Sequence, residues 1–199
     1  MSEYILIHMA RPKSDDRRAA LLEAATAVFA ENGISAPTSL ISKTAKVSEG
    51  SLFTYFKTKD ELINALYREL RLDVAGVVSR DFPRKASVRD RLEHVFSRYV
   101  AWGVKNPIAR KALKHVSMSN VITAEVRAES GVLFAEVDRI QTDAVSQRKL
   151  QHLPSAMASQ ALKALAEMTM DLVSRQPEQA EELTAAGFQM LWGALNSKP

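Results

Sequence analysis

The chain has 199 residues, 46% of them apolar and 25% charged, with a formal net charge of +4. That balance belongs to an ordinary folded protein, and seven Gly with seven Pro leave too few chain breakers for a strand-rich or loop-rich fold. With no cysteine, disulfides, thiolate nucleophiles and Cys-ligated metal centres are excluded, and the apolar runs fall far short of the ~20 residues that span a bilayer.

The N-terminus, MSEYILIHMARPK, lacks a basic leader followed by a long apolar stretch, so a cytoplasmic protein with no membrane partner is expected. Met9 also reads as a natural start. Bulk charge decides nothing further: residues 1–71 hold ten Lys/Arg against nine Asp/Glu, and residues 72–199 hold seventeen against fourteen.

From there the apolar residues repeat at helical spacing almost without interruption. Leu21, Ala24, Ala25 and Val28 mark a first helix, with Ser14 as candidate cap, Asp15 and Asp16 in the first turn and Asn32-Gly33 as the stop. Two short helices follow over 38–45 and 49–55. A longer one starts near Lys59 and places Leu62, Leu66, Leu70, Val74 and Val77 on one side, ending at Phe82-Pro83. Ser87 with Asp90 three residues on resembles a capping box, and behind it run Leu92, Val95, Tyr99 and Trp102. Pro107 suits the first turn of the next helix. Another begins around Thr123, with Leu133, Val137, Ile140 and Ala144 inward. The last two run over about 154–174 (Met157, Ala161, Leu165, Met168, Leu172) and 178–196 (Leu183, Gly187, Met190, Leu191, Ala194). Only Tyr4–Ile7 alternates like a strand. The fold class is all-α, with about nine helices.

Residues 38–56, TSLISKTAKVSEGSLFTYF, carry the functional information. They read as two short helices joined by a tight turn. Thr38 is placed to cap the first, whose buried side is Leu40, Ile41, Thr44 and Ala45. Val47 plugs the turn, Ser48 caps the second helix, and Leu52, Phe53 and Phe56 face inward. This is the helix-turn-helix layout, in which the second helix enters the major groove of double-stranded DNA with its N-terminal residues at the base edges. Gly50 and Ser51 are small enough for close backbone approach, and Ser and Thr hydroxyls reach bases or phosphates. Within 38–59, Lys43, Lys46, Lys57 and Lys59 stand against Glu49 alone. Upstream, Arg11, Lys13, Arg17 and Arg18 against Asp15 and Asp16 read either as a basic arm of the kind that enters a minor groove or as an ordinary solvated tail.

The stretch AKVSEGSLFTYFKTKDELI (45–63) resembles the N-terminal signature of TetR/AcrR-type regulators, in which an Ile-Ala helix is followed by Ala-Gly-Val-Ser, a small pair, an aromatic pair ending Tyr-Phe, and Ser-Lys-x-x-Leu. The resemblance covers about residues 15–65. It implies that Thr38 and Ser48 cap the two helices, that Glu49, Gly50, Ser51 and Thr54 sit at the groove, and that Tyr55 and Lys59 each hold a phosphate. Three departures stand out. Lys46 replaces the turn glycine, which puts a residue with a Cβ in a left-handed conformation at about 1 kcal/mol. Ser42 replaces Ala, and Phe53 replaces a Tyr with its hydroxyl.

The same resemblance implies an N-terminal arm (1–13), a DNA-binding domain (14–60) and a larger domain (61–199) that binds a small molecule and dimerises through the last two helices. The function so implied is a ligand-responsive repressor that binds a palindromic operator as a homodimer and is released by a small-molecule inducer. Candidate lining residues for a ligand are Phe96, Tyr99, Trp102, His115, Met118, Phe134, Met157 and Met168, although a stripe of Met and aromatic residues is more often plain core. No cofactor or metal is expected, since His94, His115 and His152 lack ligand-spaced partners. No phosphate loop, nucleophile elbow or HExxH pattern suggests an enzyme. The alternative is an all-α module or small-molecule-binding protein that does not bind DNA.

Overall fold

Helices dominate because each apolar stripe needs a partner and the breakers between stripes sit at the ends of helices. A computed structural model describes residues 13–132, 140 and 155–196. These hold nine α-helices: α1 (Lys13–Asn32), α2 (Thr38–Thr44), α3 (Glu49–Tyr55), α4 (Lys59–Ser79), α5 (Val88–Lys105), α6 (Pro107–Ser117), α7 (Ala124–Val132), α8 (Ser155–Arg175) and α9 (Ala180–Asn196), with a 3-10 turn at Pro177–Gln179. There is no strand among the described residues. None of their helices is long and apolar enough to cross a membrane. Tyr4–Ile7, Leu133, Val137, Ala144 and His152 lie outside the described residues.

The breakers act as the sequence predicts. Gly33 ends α1 at φ +72° and returns its amide to the Phe29 carbonyl at 3.1 Å. Ser87 caps α5, accepting from the Asp90 amide at 3.2 Å while its own hydroxyl donates to the Asp90 carboxylate at 2.8 Å. Pro107 opens α6. At the N-terminus the expectation fails: α1 already includes Lys13, so Ser14 is not its cap, and Arg17 and Arg18 belong to a helix rather than an arm.

Helix α4 is the mast of the molecule. Leu62, Leu66, Leu70, Val74 and Val78 are buried along its length, so one continuous core reaches from α1–α3 to α5–α9. Each fully buried Leu or Val contributes about 1.5–3 kcal/mol. Beside α4, helix α1 packs lengthwise on α6. His115 Nδ1 of α6 lies 2.7 Å from the Phe29 carbonyl of α1, near the C-terminal end of each helix. The polar residue Asn64, buried on α4, donates to the Asp60 carbonyl at 2.8 Å and the Val121 carbonyl at 2.9 Å. It also accepts from the Thr123 amide at 3.0 Å. Both its donor nitrogen and its acceptor oxygen are therefore engaged, and two of the three bonds tie α4 to the segment between α6 and α7.

The last two helices bear out the expected stripes in part: Gly187 and Leu191 are buried and Ala161 and Leu165 pack against the core, but the methionines do not turn inward. Ala158, Ala166, Thr169, Met170 and Val173 are the buried positions of α8, and Gly187, Phe188, Leu191 and Leu195 those of α9. Met157, Met168 and Met190 are exposed. Both helices carry apolar residues around much of their circumference, so periodicity does not single out the inner face. Gly187 is spent inside the chain: a Cβ there falls on Thr169 Oγ1 of α8 and within 3.2 Å of the Phe96 ring. We expect Gly187→Ala to lower stability by about 1–3 kcal/mol through overpacking of the α8–α9 contact, read as a lower urea midpoint at unchanged m-value.

Candidate nucleic-acid interface and an open cavity

Helix α2 ends in a tight hydrogen-bonded turn. The Val47 amide bonds to the Ser42 carbonyl at 3.0 Å and the Lys46 amide to the Lys43 carbonyl at 3.1 Å, the pair of bonds that closes a Schellman motif. Lys46 occupies the left-handed position at φ 57°, as the missing glycine predicts. Val47 then packs against the core. The buried side of α2 is Ile41 and Ser42, with Thr44 exposed against expectation. The Ser42 hydroxyl meets its burial requirement by donating to the Thr38 carbonyl at 3.1 Å.

Ser48 caps α3 as expected, its Oγ accepting from the Ser51 amide at 3.1 Å and lying 2.8 Å from the Ser51 hydroxyl. Thr38 does not cap α2. Pro37 holds the cap position without a side-chain bond, and the Thr38 hydroxyl instead donates to Glu49 Oε1 at 2.9 Å, tying the starts of α2 and α3 together. The capping residue that sequence reasoning missed is Thr58, which accepts from the Glu61 amide at 3.0 Å while the Glu61 carboxylate accepts from the Lys57 amide at 2.7 Å. The Thr-x-x-Glu spacing of a capping box was the available signal.

Leu52 and Phe56 anchor α3 to the core, and the Arg18 guanidinium stacks 5.4 Å from the centre of the Phe56 ring. Phe53 departs from expectation: it is 38% exposed, on the solvent side of α3 with Glu49, Gly50 and Thr54. Anchoring so short a helix through Leu52 and Phe56 on one face leaves Phe53, on another, no core to enter. Ser51 and Tyr55 are half-buried and remain accessible, and the Thr54 hydroxyl donates to the Gly50 carbonyl at 3.0 Å. Lys43, Lys46 and Lys57 are exposed and Lys59 is half-exposed at the first turn of α4. The helical pair and the start of α4 thus offer accessible hydroxyls, a glycine, a carboxylate and four lysines. Hydroxyls, amides and lysines are what phosphate and base-edge contacts need.

The residues expected to line a ligand site do not converge. Phe96 and Trp102 are core residues, and Trp102 Nε1 donates to Asp73 at 2.7 Å. His115 serves the α1–α6 contact, Met157 and Met168 face outward, and Phe134 lies outside the described residues. Tyr99 and Met118, however, both border a cavity of about 500 Å³ among α4–α8. Its other walls include Tyr67 and Arg71 of α4, Arg110 and Lys114 of α6, Arg127 of α7, and Lys163 and Glu167 of α8. Burial pushes the Tyr99 phenol up to about 12, with the Glu167 carboxylate adding to the effect. It is therefore a neutral hydrogen-bonding group at any ordinary pH. Among the described residues no cluster of three metal-ligating side chains occurs.

Residues 21–66 match the family model for bacterial regulatory proteins of the tetR family. Over 80 residues the chain is 31% identical to the fatty acid metabolism regulator protein of Bacillus subtilis (strain 168), an alignment spanning 40% of this chain and 41% of that relative. Among solved structures, a putative tetR family transcription regulator from Shewanella sp. PV-4 superposes with a TM-score of 0.81 at 19% identity, over 92% of this chain and 99% of the other. The regulator FadR from Bacillus subtilis in complex with stearoyl-CoA superposes at 0.65 and 21% identity, over 90% and 97%.

Lys46 offers a direct test of the turn. Lys46→Gly removes the left-handed strain and is expected to raise unfolding free energy by about 1 kcal/mol. The check is an equilibrium denaturation midpoint above that of the wild type.

Proposed function

We propose that this chain, whose N-terminal domain is of the TetR type and whose described residues have the fold of TetR-family transcription regulators, is a ligand-responsive repressor that binds operator DNA. The observation that carries the reading is the Ser48-capped helix α3, anchored by Leu52 and Phe56, with Glu49, Gly50, Ser51 and Thr54 accessible along it and lysines before and after it in the chain. In this reading Glu49, Gly50, Ser51 and Thr54 meet base edges. Lys46, Tyr55 and Lys59 hold phosphates, with Lys59 aided by the amides at the start of α4. Thr38 and Ser48 act by fixing the orientation of Glu49 and Ser51. Residues 14–60 are the reading domain and 61–199 the effector and dimerisation domain, and the protein does no chemistry of its own. It works in the cytoplasm, where its DNA is.

Dimerisation through α8 and α9 is supported by what those helices leave uncovered. Ala164 and Met168 of α8, with Ala186, Met190 and Gly193 of α9, are exposed at helical spacing. A self-complementary contact there generates a two-fold pair. Two reading helices about 34 Å apart then meet successive turns of a palindromic site. Release follows if an effector among α4–α8 favours a dimer with a different helix spacing, through its differential affinity for the two forms. The Asn64 bonds to Val121 and Thr123 supply a rigid link from that region to the base of the reading domain.

Salt-dependent duplex binding is the test. Lys59→Ala and Tyr55→Phe are expected to weaken binding to all sequences about equally, the lysine change flattening the salt slope by ~1. Ser51→Ala and Glu49→Ala are expected to change sequence preference, measured by selection from random duplexes. A chain that ignores duplex DNA at low ionic strength overturns the proposal.

A further inference from the structure

The cavity among α4–α8 has an uneven distribution of charge. Among the described residues, Lys114, Arg127, Lys163 and Arg110 border it against the carboxylate of Glu167, and Arg71 stands in the same wall. Arg110 is engaged with that carboxylate at 3.8 Å and with Asp171, yet its Nη1 is buried without a hydrogen-bond acceptor. Lys114, Arg127 and Lys163 enter no ion pair among the described residues; Arg127 donates only to the Ser119 carbonyl, at 3.2 Å. Partial desolvation holds the Lys163 ammonium below its ordinary range, and the Arg71 and Arg127 guanidiniums push the same way. Like charges gathered around one hollow raise the free energy of the empty site, and an anion there relieves it.

The same walls are not uniformly polar. Tyr67 and Leu113 are buried and Tyr99 half-buried, whereas Lys114, Arg127 and Lys163 are exposed. The hollow therefore sets the faces of Tyr67, Tyr99 and Leu113 beside the half-buried Arg71 and Arg110 inside and a cationic rim outside, and about 500 Å³ suits a small organic molecule.

We infer that this cavity binds an amphiphilic organic anion, its carboxylate or phosphate head held by Lys114, Arg127 and Lys163 and its apolar body against Tyr67, Tyr99 and Leu113. The inference gives the effector of the regulator reading above a chemical class and rests on that reading for the ligand's purpose. A cation of the same shape meets net repulsion at the rim and is rejected.

The experiment is calorimetric titration of the full chain with octanoate, octyl phosphate, 1-octanol and octylammonium, beside duplex retention of the same preparation. Saturable binding of an anion at one site per protomer, with no binding of octylammonium, is expected. The double variant Lys163→Gln with Arg127→Gln weakens anion binding by about tenfold or more. Lys111→Gln, on the same helix as Lys114 but away from the cavity, leaves it unchanged. Preference between octanoate and octyl phosphate identifies the head group. Binding of octylammonium as tight as that of the anions, wild-type affinity in the double variant, or failure of both anions to bind overturns the inference. Duplex retention separates the two readings. Retention without anion binding defeats this inference alone, and anion binding by a chain that ignores DNA defeats the regulator reading instead.

Discussion

Burial of α4 is the constraint on which the remaining structure depends. This helix gives Leu62, Leu66, Leu70, Val74 and Val78 to the one core that the N-terminal helices and α5–α9 share. It therefore cannot move independently of either. Asn64 makes the constraint specific as well as strong. A buried side-chain amide is tolerable only where its donors and acceptor are met, and here the Asp60 and Val121 carbonyls and the Thr123 amide meet them. The register of α4 against the segment ahead of α7 is thereby fixed by directional bonds, while apolar contact alone permits sliding.

The short helices α2 and α3 illustrate how seven-residue helices hold a shape that isolated peptides of that length do not. Their ends are secured one by one: the turn bonds at Val47 and Lys46, the Ser48 cap, the Thr38–Glu49 bridge and the Thr58 cap of the next helix. Core burial of Ile41, Leu52 and Phe56 then supplies the stabilisation that intrinsic propensity does not. Lys46 works against this scheme. Its left-handed backbone is a local cost carried by the two amide bonds that flank it, and its ammonium remains on the solvent side.

How much of this was legible in the sequence depended on where the signal resided. The stripes of α1 and α4, the Ser48 and Ser87 caps, the Gly33 stop and the left-handed Lys46 were readable because each is decided within four or five residues. The Thr58 cap is equally local, its signal lying in Thr58 and Glu61 three residues on. The role of Thr38 was not readable, because its partner, Glu49, lies eleven residues on and meets it only once α2 and α3 are folded. The inner faces of α8 and α9 were obscured by apolar residues on more than one side, and Phe53 by the assumption that an aromatic pair points one way. The cationic cavity was illegible for a different reason. Arg71, Arg110, Arg127 and Lys163 come from four helices, and each on its own reads as an ordinary solvated charge.

The contact of α1 with α6, closed by His115 at the Phe29 carbonyl, has a consequence for how the molecule comes apart. A single core joins both halves, so neither loses its packing while the other keeps it. Burial of that kind puts the amides of α1 and α4 at the slow-exchanging end of the range, and the exposed start of α3 at the fast end. Any molecule that tightens the far end of the helical array accordingly slows deuterium uptake at the near end, even where it touches nothing there.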